Sequence, residues 1–294
     1  MIIVKLAGGL GNQLFQYALG RVLSIKNNTS LKMDTSAFDH IAKGDTKRSY
    51  ELNVFNIKAS IATKDEINDL NRIVKVRYLL QRYLGINLNP FHSLHVLEKS
   101  YNFQKEILNL GDSVYLDGYW QSEKYFKGIS NVIRKDFTFI EVPNNKNARL
   151  LKQISGTNSV SIHVRRGDYV SSTVTIKFHG ITAVEFYQKA AKIIRKQINK
   201  PSYFIFSDDI VWCQENFTFL PNVTFINHNH GDKSYEDLRL MSNCRHNIIS
   251  NSSFSWWGAW LNDNPGKIVI APKKWFNDPA FDIRDIIPKC WIKI

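Results

Sequence analysis

Residues 159–169 read SVSIHVRRGDY, and this stretch decides the fold class. Its alternating apolar side chains predict a short buried strand that ends in two consecutive arginines. Alternation places His163 and Arg165 on one side of the strand and Arg166 on the other. Because a guanidinium matches a phosphate bidentately, Arg165 is a candidate phosphate ligand, whereas Arg166 is expected to pair with Asp168 or a distant carboxylate. An alternative, in which both arginines form structural ion pairs, stays open.

The rest of the second half repeats this unit of a short apolar strand followed by a helix. The strands are expected at about 159–164, 203–207, 223–227, 247–250 and 267–271, and the helices near 183–199, 210–217, 235–243 and 254–261. Strands that alternate with helices predict a doubly wound parallel sheet. Ligands of such sheets bind beyond the carboxyl ends of the strands.

A second polar cluster follows the strand that is expected to end at Ser250. Residues 250–255 read SNSSFS, and a helix is expected to begin within them. Capping that helix needs one hydroxyl group, so the run of serines exceeds what capping requires. Because a helix N-terminus favours anions, we interpret these residues as phosphate contacts.

A third cluster, Asp208 and Asp209, follows the strand that ends at Ser207. Paired acids are typical of sites that hold a nucleoside diphosphate through Mg²⁺ or Mn²⁺. Adjacent residues on an extended segment point apart, however, and such a pair often caps the next helix. We therefore favour a nucleoside or structural contact over a metal site, and we interpret the histidines of residues 227–230 as part of a polar loop.

The chain opens with a strand at residues 2–6, a glycine loop and an amphipathic helix, and a strand near 30–34 completes a βαβ unit. The loop, residues 8–13, reads GGLGNQ, which is an incomplete dinucleotide fingerprint. A tight structural turn and a loop that touches sugar or phosphate both fit this pattern. In the second case Gly9 and Asn12 are candidate donor-binding residues.

The middle of the chain is less regular. A helical pattern is expected over 64–110, a strand over 113–120 and a further helical stretch near 122–135. Residues 143–147 read PNNKN, a turn-forming composition that predicts a linker. The sequence therefore predicts two domains, residues 1–145 and 146–294.

Composition excludes several classes of protein. The 294 residues are 44% hydrophobic and 22% charged, which is typical of a globular protein with an ample core. The net charge of +13 is spread over both halves, so it favours anionic partners without indicating a nucleic-acid-binding tail. Three cysteines without a Cys-x-x-Cys pattern exclude a disulfide framework. With neither a signal peptide nor a long apolar run in view, a cytoplasmic protein is expected.

At four of these stretches the sequence resembles the α-1,2-fucosyltransferases of glycosyltransferase family 11. The matching stretches are GGLGNQLFQYA at 8–18, HVRRGDY at 163–169, FSDD at 206–209 and NSSFSWWGA at 251–259. They occur in the family's order and span nearly the whole chain, whereas residues 40–140 match only loosely. The resemblance implies a GT-B-like α/β fold, with two Rossmann-type domains whose parallel sheets face each other across a cleft. The first domain would serve the acceptor and the second would bind the donor.

The resemblance also implies an activity. L-Fucose would move from GDP-β-L-fucose, a co-substrate, to the 2-hydroxyl of a galactose-terminated oligosaccharide or lipid-linked acceptor, with inversion and without a cofactor or an obligatory metal. The absence of an anchor resembles bacterial members, so O-antigen synthesis is the expected setting. The positive charge would favour peripheral contact with an anionic inner membrane.

Site residues are carried over from the family's motifs. Arg165 would hold the diphosphate, and Asn12 would approach the phosphate or the fucose. His163 and Asp237 would help to place the guanosine. The remaining donor-binding candidates are Gly9, Asp209, Ser252, Ser253 and Phe254. Asp168 and His179 are the candidates for the group that accepts the acceptor's proton.

Three other functions were weighed against this one. An enzyme of the same fold could use another nucleotide sugar, and a non-catalytic relative could bind nucleotide or glycan only. A basic nucleic-acid-binding module would instead interleave aromatic and basic residues on one surface. The polar motifs gather at strand ends, so no nucleic-acid partner is expected.

Overall fold

The computed structural model describes residues 1–39, 47–70, 95–167, 180–278 and 281–294. Within these ranges the chain forms two compact units. The first contains Met1–Thr138 and Asp282–Ile286, and the second contains Phe139–Phe281 and Ile287–Ile294. Each unit has a sheet of its own, so the two are described separately.

The first unit is built on a five-stranded parallel sheet. Its strands are β1 (Ile2–Lys5), β2 (Leu31–Asp34), β3 (Ser60–Ile61), β4 (His95–Leu97) and β5 (Val114–Asp117). Their order across the sheet is β3-β2-β1-β5-β4, and each pair is parallel. The helices are α1 (Leu10–Lys26) and α2 (Ser130–Asp136), with 3₁₀ turns at Ser36–Phe38, Leu52–Val54, Lys105–Asn109, Glu123–Tyr125 and Lys127–Ile129.

Helix α1 lies against the centre of this sheet, and most of its residues are buried. A Cβ at Gly20 would lie only 2.5 Å from Val4 and 2.7 Å from Leu31, so this glycine permits the close approach of helix and strands. Phe15 and Leu19 are almost fully buried on the same helix. This packing fixes the position of the glycine loop that precedes α1.

The second unit contains a six-stranded parallel sheet. Its strands are β6 (Asn158–Val164), β7 (Pro201–Ser207), β8 (Val223–Ile226), β9 (His246–Ile248), β10 (Val269–Ala271) and β11 (Ile292–Lys293). Their order is β11-β10-β9-β6-β7-β8. The helices are α3 (Asn145–Ser155), α4 (Val184–Gln197), α5 (Ile210–Asn216), α6 (Tyr235–Asn243) and α7 (Ser253–Leu261), with a 3₁₀ turn at Gly231–Lys233.

The core of the second unit forms around β6 and β7, which are the longest strands of the sheet. Val160, Ile162 and Ile205 are completely buried, as are Tyr187 and Ile194 of α4. Strands covered on both faces read as near-continuous apolar runs, which is the pattern of a parallel α/β sheet. Trp256 and Trp257, which sequence reasoning treated mainly as core residues, are also completely buried.

The doubly wound parallel sheet predicted for the second half is confirmed, and its strands and helices lie within a few residues of their expected bounds. The predicted strand over 113–120 is also present as β5. The predicted helix over 122–135 is instead two 3₁₀ turns followed by α2. The helical prediction for 64–110 is wrong at β4 and holds for residues 64–70, whereas 71–94 lie outside the described residues.

The predicted linker at 143–147 contains the beginning of α3. The Asn144 side chain caps this helix by accepting hydrogen bonds from the backbone N–H groups of Lys146 and Asn147. Asparagine is favoured both in turns and at helix N-caps, so composition did not distinguish the two. Strands β3 and β11 have two residues each and are too short to leave a period-2 pattern. None of the helices in the described ranges combines the length and apolar character that crossing a bilayer demands.

Candidate functional site

The strand order of the second sheet places two of the polar clusters side by side. From β6 the chain proceeds to β7 and β8 on one side, then returns to β9 and β10 on the other side. The order therefore reverses between β6 and β9, and the carboxyl ends of these strands form a topological switch point. Such a switch point is where open α/β sheets bind ligands. The residues after β6 and after β9 are thereby brought together.

His163, the penultimate residue of β6, makes the direct connection between the two clusters. Its Nδ1 lies 2.9 Å from the Ser250 hydroxyl, and its ring centroid lies 5.7 Å from that of Phe254. Burial lowers the pKa of His163 to about 4; the positive charge of Arg165 acts in the same direction, and Asp208 opposes it. The imidazole is therefore neutral at neutral pH and serves as a hydrogen-bonding group at the switch point.

Helix α7 begins at this point, directly after β9. Ser252 is its N-cap residue, yet within the described residues its side chain makes no capping hydrogen bond. The Ser252 backbone N–H donates to the Ser250 carbonyl at 2.9 Å. Asn251 is held by Thr182 Oγ1, at 3.1 Å from its Oδ1, and its Nδ2 donates to the Trp275 carbonyl at 3.1 Å. The loop is thus held by its neighbours, while the helix N-terminus offers the positive end of its dipole to an anion.

Arg165 follows β6 and pairs with a carboxylate on the adjacent strand end. Val164 is in register with Ser207, so the next residues of the two strands, Arg165 and Asp208, are neighbours. Arg165 Nη1 lies 2.8 Å from Asp208 Oδ2. Asp208 Oδ1 accepts a hydrogen bond from the Arg166 backbone N–H at 2.8 Å. Asp208 therefore orients both the loop and its guanidinium.

The same register pairs Arg166 with Asp209. Arg166 Nε donates to Asp209 Oδ2 at 3.2 Å, and the guanidinium carbon lies 3.8 Å from the centroid of the Trp212 ring. Asp209 Oδ1 also accepts from the Trp212 backbone N–H at 3.2 Å, which caps α5. The expected pairing of Arg166 with a distant carboxylate is confirmed, and so is the expected cap. Asp209 thus contacts the loop that carries Arg165 through Arg166.

The acidic pair after β7 is engaged by arginines. Within the described ranges there is no group of three or more His, Cys, Asp or Glu side chains that could hold a metal ion. Asp208 and Asp209 each form an ion pair, with Arg165 and Arg166 respectively. The positive charges of this region therefore come from side chains of the protein.

Asp237 belongs to a second cluster at the same edge of the sheet. It lies in the first turn of α6, and its Oδ1 accepts from Asn229 Nδ2 at 2.8 Å. Asn229 in turn exchanges hydrogen bonds with Asn147, which also lies 2.9 Å from His228 Nε2. Burial raises the pKa of Asp237 to about 7, with the Glu236 charge acting in the same direction and the Asn229 hydrogen bond opposing it. Asp237 therefore contacts this amide network and not His163.

The glycine loop of the first unit is a tight turn with a side chain packed against it. Gly8 has φ +75°, and a Cβ there would overlap the Asn12 side-chain amide. Gly9 is the N-cap of α1, and a Cβ there would lie 3.5 Å from Arg48 Nη1. Asn12 Oδ1 accepts from Gln121 Nε2 at 2.8 Å, which links the loop to the residues after β5. Both candidates thus lie at the carboxyl edge of the first sheet.

The neighbouring glutamines are structural. Gln13 Nε2 donates to the carbonyls of Gly8 and Ser49, and its Oε1 accepts from the Glu51 backbone N–H. Gln16 accepts from the Ala7 backbone N–H and donates to the Gly118 carbonyl, both at 3.0 Å. These amides connect segments that are distant in sequence, which explains their burial.

The structure brings together His163, Ser250, Ser252 and Phe254 at one switch point, with Arg165 on the adjacent strand end. Asp168 and His179 lie outside the described residues. Sequence reasoning missed the residues that hold the site: Asp208 as the partner of Arg165, and Asn229 as the partner of Asp237. The register of β6 against β7 would have revealed the first pairing. Nothing local in the sequence indicates the second.

Two α/β units, each with an all-parallel sheet, and a cationic, helix-ended edge at one switch point define a GT-B-type glycosyltransferase. The fold agrees with solved structures of that class. The NodZ alpha-1,6-fucosyltransferase of Bradyrhizobium, soaked with GDP-fucose, superposes with a TM-score of 0.51 at 14% identity over 90% of this chain and 96% of that one. FUT1 of Arabidopsis thaliana in complex with GDP gives a TM-score of 0.51 at 11% identity, over 91% and 69% of the two chains.

The chain belongs to Glycosyl transferase family 11, whose model matches residues 1–294. It is 35% identical to the alpha-1,2-colitosyltransferase of Escherichia coli over 100% of this chain and 99% of that one. It is 34% identical to the O-antigen biosynthesis glycosyltransferase WbnK of Escherichia coli, over 92% and 93% of the two chains. Identity to galactoside alpha-(1,2)-fucosyltransferase 2 of Pongo pygmaeus is 29%, over 51% and 46%. The family and the GT-B-type fold expected from the motifs are thereby confirmed.

Proposed function

We propose that this protein transfers L-fucose from GDP-β-L-fucose to the 2-hydroxyl of a galactose-terminated glycan, with inversion to an α-1,2 linkage. One observation carries this proposal: the strand end that bears His163 and Arg165 meets the start of α7 at the switch point of the second sheet. Family membership and the names of the relatives support the sugar and the linkage.

Cleavage of the bond between fucose and GDP builds negative charge on the β-phosphate. Arg165, oriented by Asp208, and the N-terminus of α7 at Ser252 and Ser253 would supply positive potential to this charge. Preorganised donors aimed at developing charge are often the largest catalytic contribution, and one donor is worth about 3–4 kcal/mol. This pair would fill the role that Mg²⁺ has in metal-dependent transferases.

The remaining donor contacts follow from the two clusters at the edge of the second sheet. Neutral His163 and the ring of Phe254 would adjoin the nucleotide, and the Asp237 carboxylate would accept hydrogen bonds from guanine N–H groups. Asp209 would act through Arg166. Gly9 and Asn12 would contact phosphate or fucose from the first unit, which we assign to the acceptor. Asp168 and His179 stay candidates for the proton acceptor.

The setting we infer is the synthesis of a bacterial surface polysaccharide. Two Escherichia coli relatives of similar length carry names that refer to O-antigen biosynthesis or to an α-1,2-glycosyl transfer. The acceptor would then be a lipid-linked oligosaccharide at the cytoplasmic face of the inner membrane. The net charge of +13 would favour contact with anionic lipid.

The test is incubation of the purified protein with GDP-fucose and a panel of β-galactosides, followed by linkage analysis of the products. We expect fucose on the 2-hydroxyl of a terminal galactose. Thermal stabilisation by GDP and not by UDP or ADP would agree with the assignment of the donor site. Transfer to another position, or stabilisation by UDP alone, would contradict the proposal.

A second donor is favoured by a specific observation. The relative matched over the full chain is named a colitosyltransferase, and colitose is L-fucose without its 3-hydroxyl group. A direct competition between GDP-fucose and GDP-colitose separates the two donors. A higher kcat/KM for GDP-colitose would replace fucose by colitose and leave the assigned diphosphate site unchanged.

A further inference from the structure

Glu98 stands at the carboxyl edge of the first sheet, immediately after β4. Its carboxylate accepts hydrogen bonds from two consecutive backbone N–H groups after β5, Tyr119 at 2.6 Å and Trp120 at 3.0 Å. Its own N–H donates to the Asp117 carbonyl at 2.9 Å. A Cβ at Gly118 would overlap the Glu98 side chain. The turn that follows β5 is therefore built around this carboxylate.

The turn lies at the switch point of the first sheet. The strand order reverses between β1 and β5, so ligands are expected beyond the carboxyl ends of these two strands. The glycine loop follows β1, and Gln121 connects the turn after β5 to Asn12 of that loop. Glu98 thus belongs to the same edge as the glycine loop.

Two features of the turn point to a ligand. Trp120 is completely buried and has φ +56°, a conformation that bulky residues rarely adopt and that is enriched at functional sites. Within the described part of the chain, Trp120 Nε1 and Gln121 Oε1 are buried without a hydrogen-bond partner. Gln121 is only 8% exposed. An unpaired buried donor and acceptor next to each other in sequence suit a molecule that carries hydroxyl groups, such as a sugar.

The electrostatic surroundings of Glu98 suit a base. Burial raises the pKa of Glu98 to about 7, against the opposing effect of the two backbone hydrogen bonds. The titratable side chains that interact with it are Tyr101 and Tyr125, whose own pKa values are raised. The nearest strand-end carboxylate, Asp117, is paired with Lys5 at 3.0 Å. A base is most effective when its pKa lies near the working pH.

We propose that Glu98 is the catalytic base and that the acceptor galactose binds at this edge with its 2-hydroxyl hydrogen-bonded to the Glu98 carboxylate. The inference rests on the proposed function. The 2-hydroxyl proton passes to the carboxylate as the hydroxyl oxygen forms its bond to the fucose anomeric carbon. The bond from that carbon to the β-phosphate oxygen breaks, and GDP leaves with the electron pair. Glu98 then releases its proton to solvent.

A purely structural role for Glu98 is the competing explanation. An ionised carboxylate has about four lone-pair sites, and the two backbone N–H groups occupy two of them. The side chain is half-buried, so the remaining sites are within reach of a ligand. A clamp and a base make different predictions for the pH dependence of the transfer. That difference decides between them.

The experiment measures acceptor kcat/KM against pH at saturating GDP-fucose, which removes the contribution of donor binding. The wild type is expected to lose activity about tenfold per pH unit below an apparent pKa near 7. In Glu98→Gln, kcat is expected to fall by roughly 10²- to 10⁴-fold, the acidic limb to disappear and GDP affinity to stay unchanged. Formate is expected to restore part of the activity of Glu98→Ala. Glu106→Gln, on an exposed residue of the same unit, is the matched control.

Each outcome bears on one proposal. If the wild type transfers fucose and Glu98→Gln keeps the acidic limb, Glu98 is not the base. A limb that instead vanishes in Asp168→Asn or His179→Gln would assign the base to one of those residues. If Glu98→Gln does not fold, Glu98→Asp keeps the charge but withdraws it; unchanged kcat and pH dependence in that variant would overturn the inference. A wild type that transfers no fucose would refute the proposed function itself.

Discussion

The switch points of the two sheets carry opposite chemistry. The second presents Arg165, a neutral histidine and a helix N-terminus, whereas the first presents Glu98, side-chain amides and a buried tryptophan. One edge is suited to an anion and the other to an uncharged, hydroxyl-bearing molecule. The same parallel topology thus supports two binding functions, and the residues that follow the strands set the difference. A transferase needs both, because its donor carries a diphosphate and its acceptor is a sugar.

The comparison is tested most strongly at Arg165. We expect Arg165→Ala to reduce kcat by about 10²- to 10³-fold, because the departing diphosphate loses an oriented cationic donor. Arg165→Lys should recover only part of the loss, since a lysine cannot bind a phosphate bidentately. Steady-state kinetics and GDP binding by calorimetry measure both effects. Wild-type turnover in Arg165→Ala would remove the diphosphate from this edge.

The adjacent arginine provides the matched control. Arg166 pairs with Asp209 and lies over Trp212, so Arg166→Ala should lower the free energy of unfolding by about 1–2 kcal/mol. Because Arg166 is placed as a structural residue, kcat should change far less than in Arg165→Ala. Denaturant unfolding and kinetics on the same samples check the pair. Equal kinetic losses in the two variants would show that the loop acts as one unit.

The first edge is tested by adding a single methyl group. In Gly118→Ala the new Cβ overlaps Glu98, so the carboxylate must move from its backbone partners. We expect acceptor kcat/KM to fall by about tenfold, from roughly 1–3 kcal/mol of misplacement, with GDP affinity unchanged. Gly128→Ala is the control, because a Cβ there has nothing within 4 Å. A loss of GDP binding in Gly118→Ala would contradict the division of roles between the edges.

A smaller effect is expected from pH at the second edge. Burial raises the pKa of Asp237 to about 7. If the carboxylate accepts N–H groups of guanine, GDP favours its ionised form and lowers that pKa. Affinity for GDP should then be full above pH 7 and weaken by up to about tenfold per pH unit below it. Calorimetric titrations from pH 5.5 to 8 measure this, and Asp237→Asn should flatten the curve. A pH-independent Kd in the wild type would separate Asp237 from the nucleotide.

Chelation should have the smallest effect. Because Asp208 and Asp209 are both engaged by arginines, the cationic edge is expected to work on protein charges alone. Transfer in EDTA should therefore match transfer without it. Complete loss of activity that Mg²⁺ or Mn²⁺ restores would assign a metal to this pair instead.

Much of the second unit was predictable because its signals are local. The strand at 158–164 shows strict alternation, and the arginines that follow it indicated a polar strand end. The serine run at the start of α7 was recognised from composition and helix N-terminus chemistry. The first unit was harder, because β3 and β4 have two and three residues and leave no periodic pattern. Glu98 was missed for this reason, since its strand was expected to be helical.

The amino-acid sequence alone determined the parallel α/β class, the family motifs and the placement of polar residues at strand ends. These follow from side-chain periodicity and from short contiguous stretches, which are readable without knowledge of neighbours. Only the tertiary structure decided which strand ends are adjacent: Ser250 with His163, Asp208 with Arg165, and the turn after β5 with Glu98. Strand order and register arise from hydrogen bonds and packing between distant segments. The burial that shifts the pKa values of Glu98 and Asp237 has the same non-local origin.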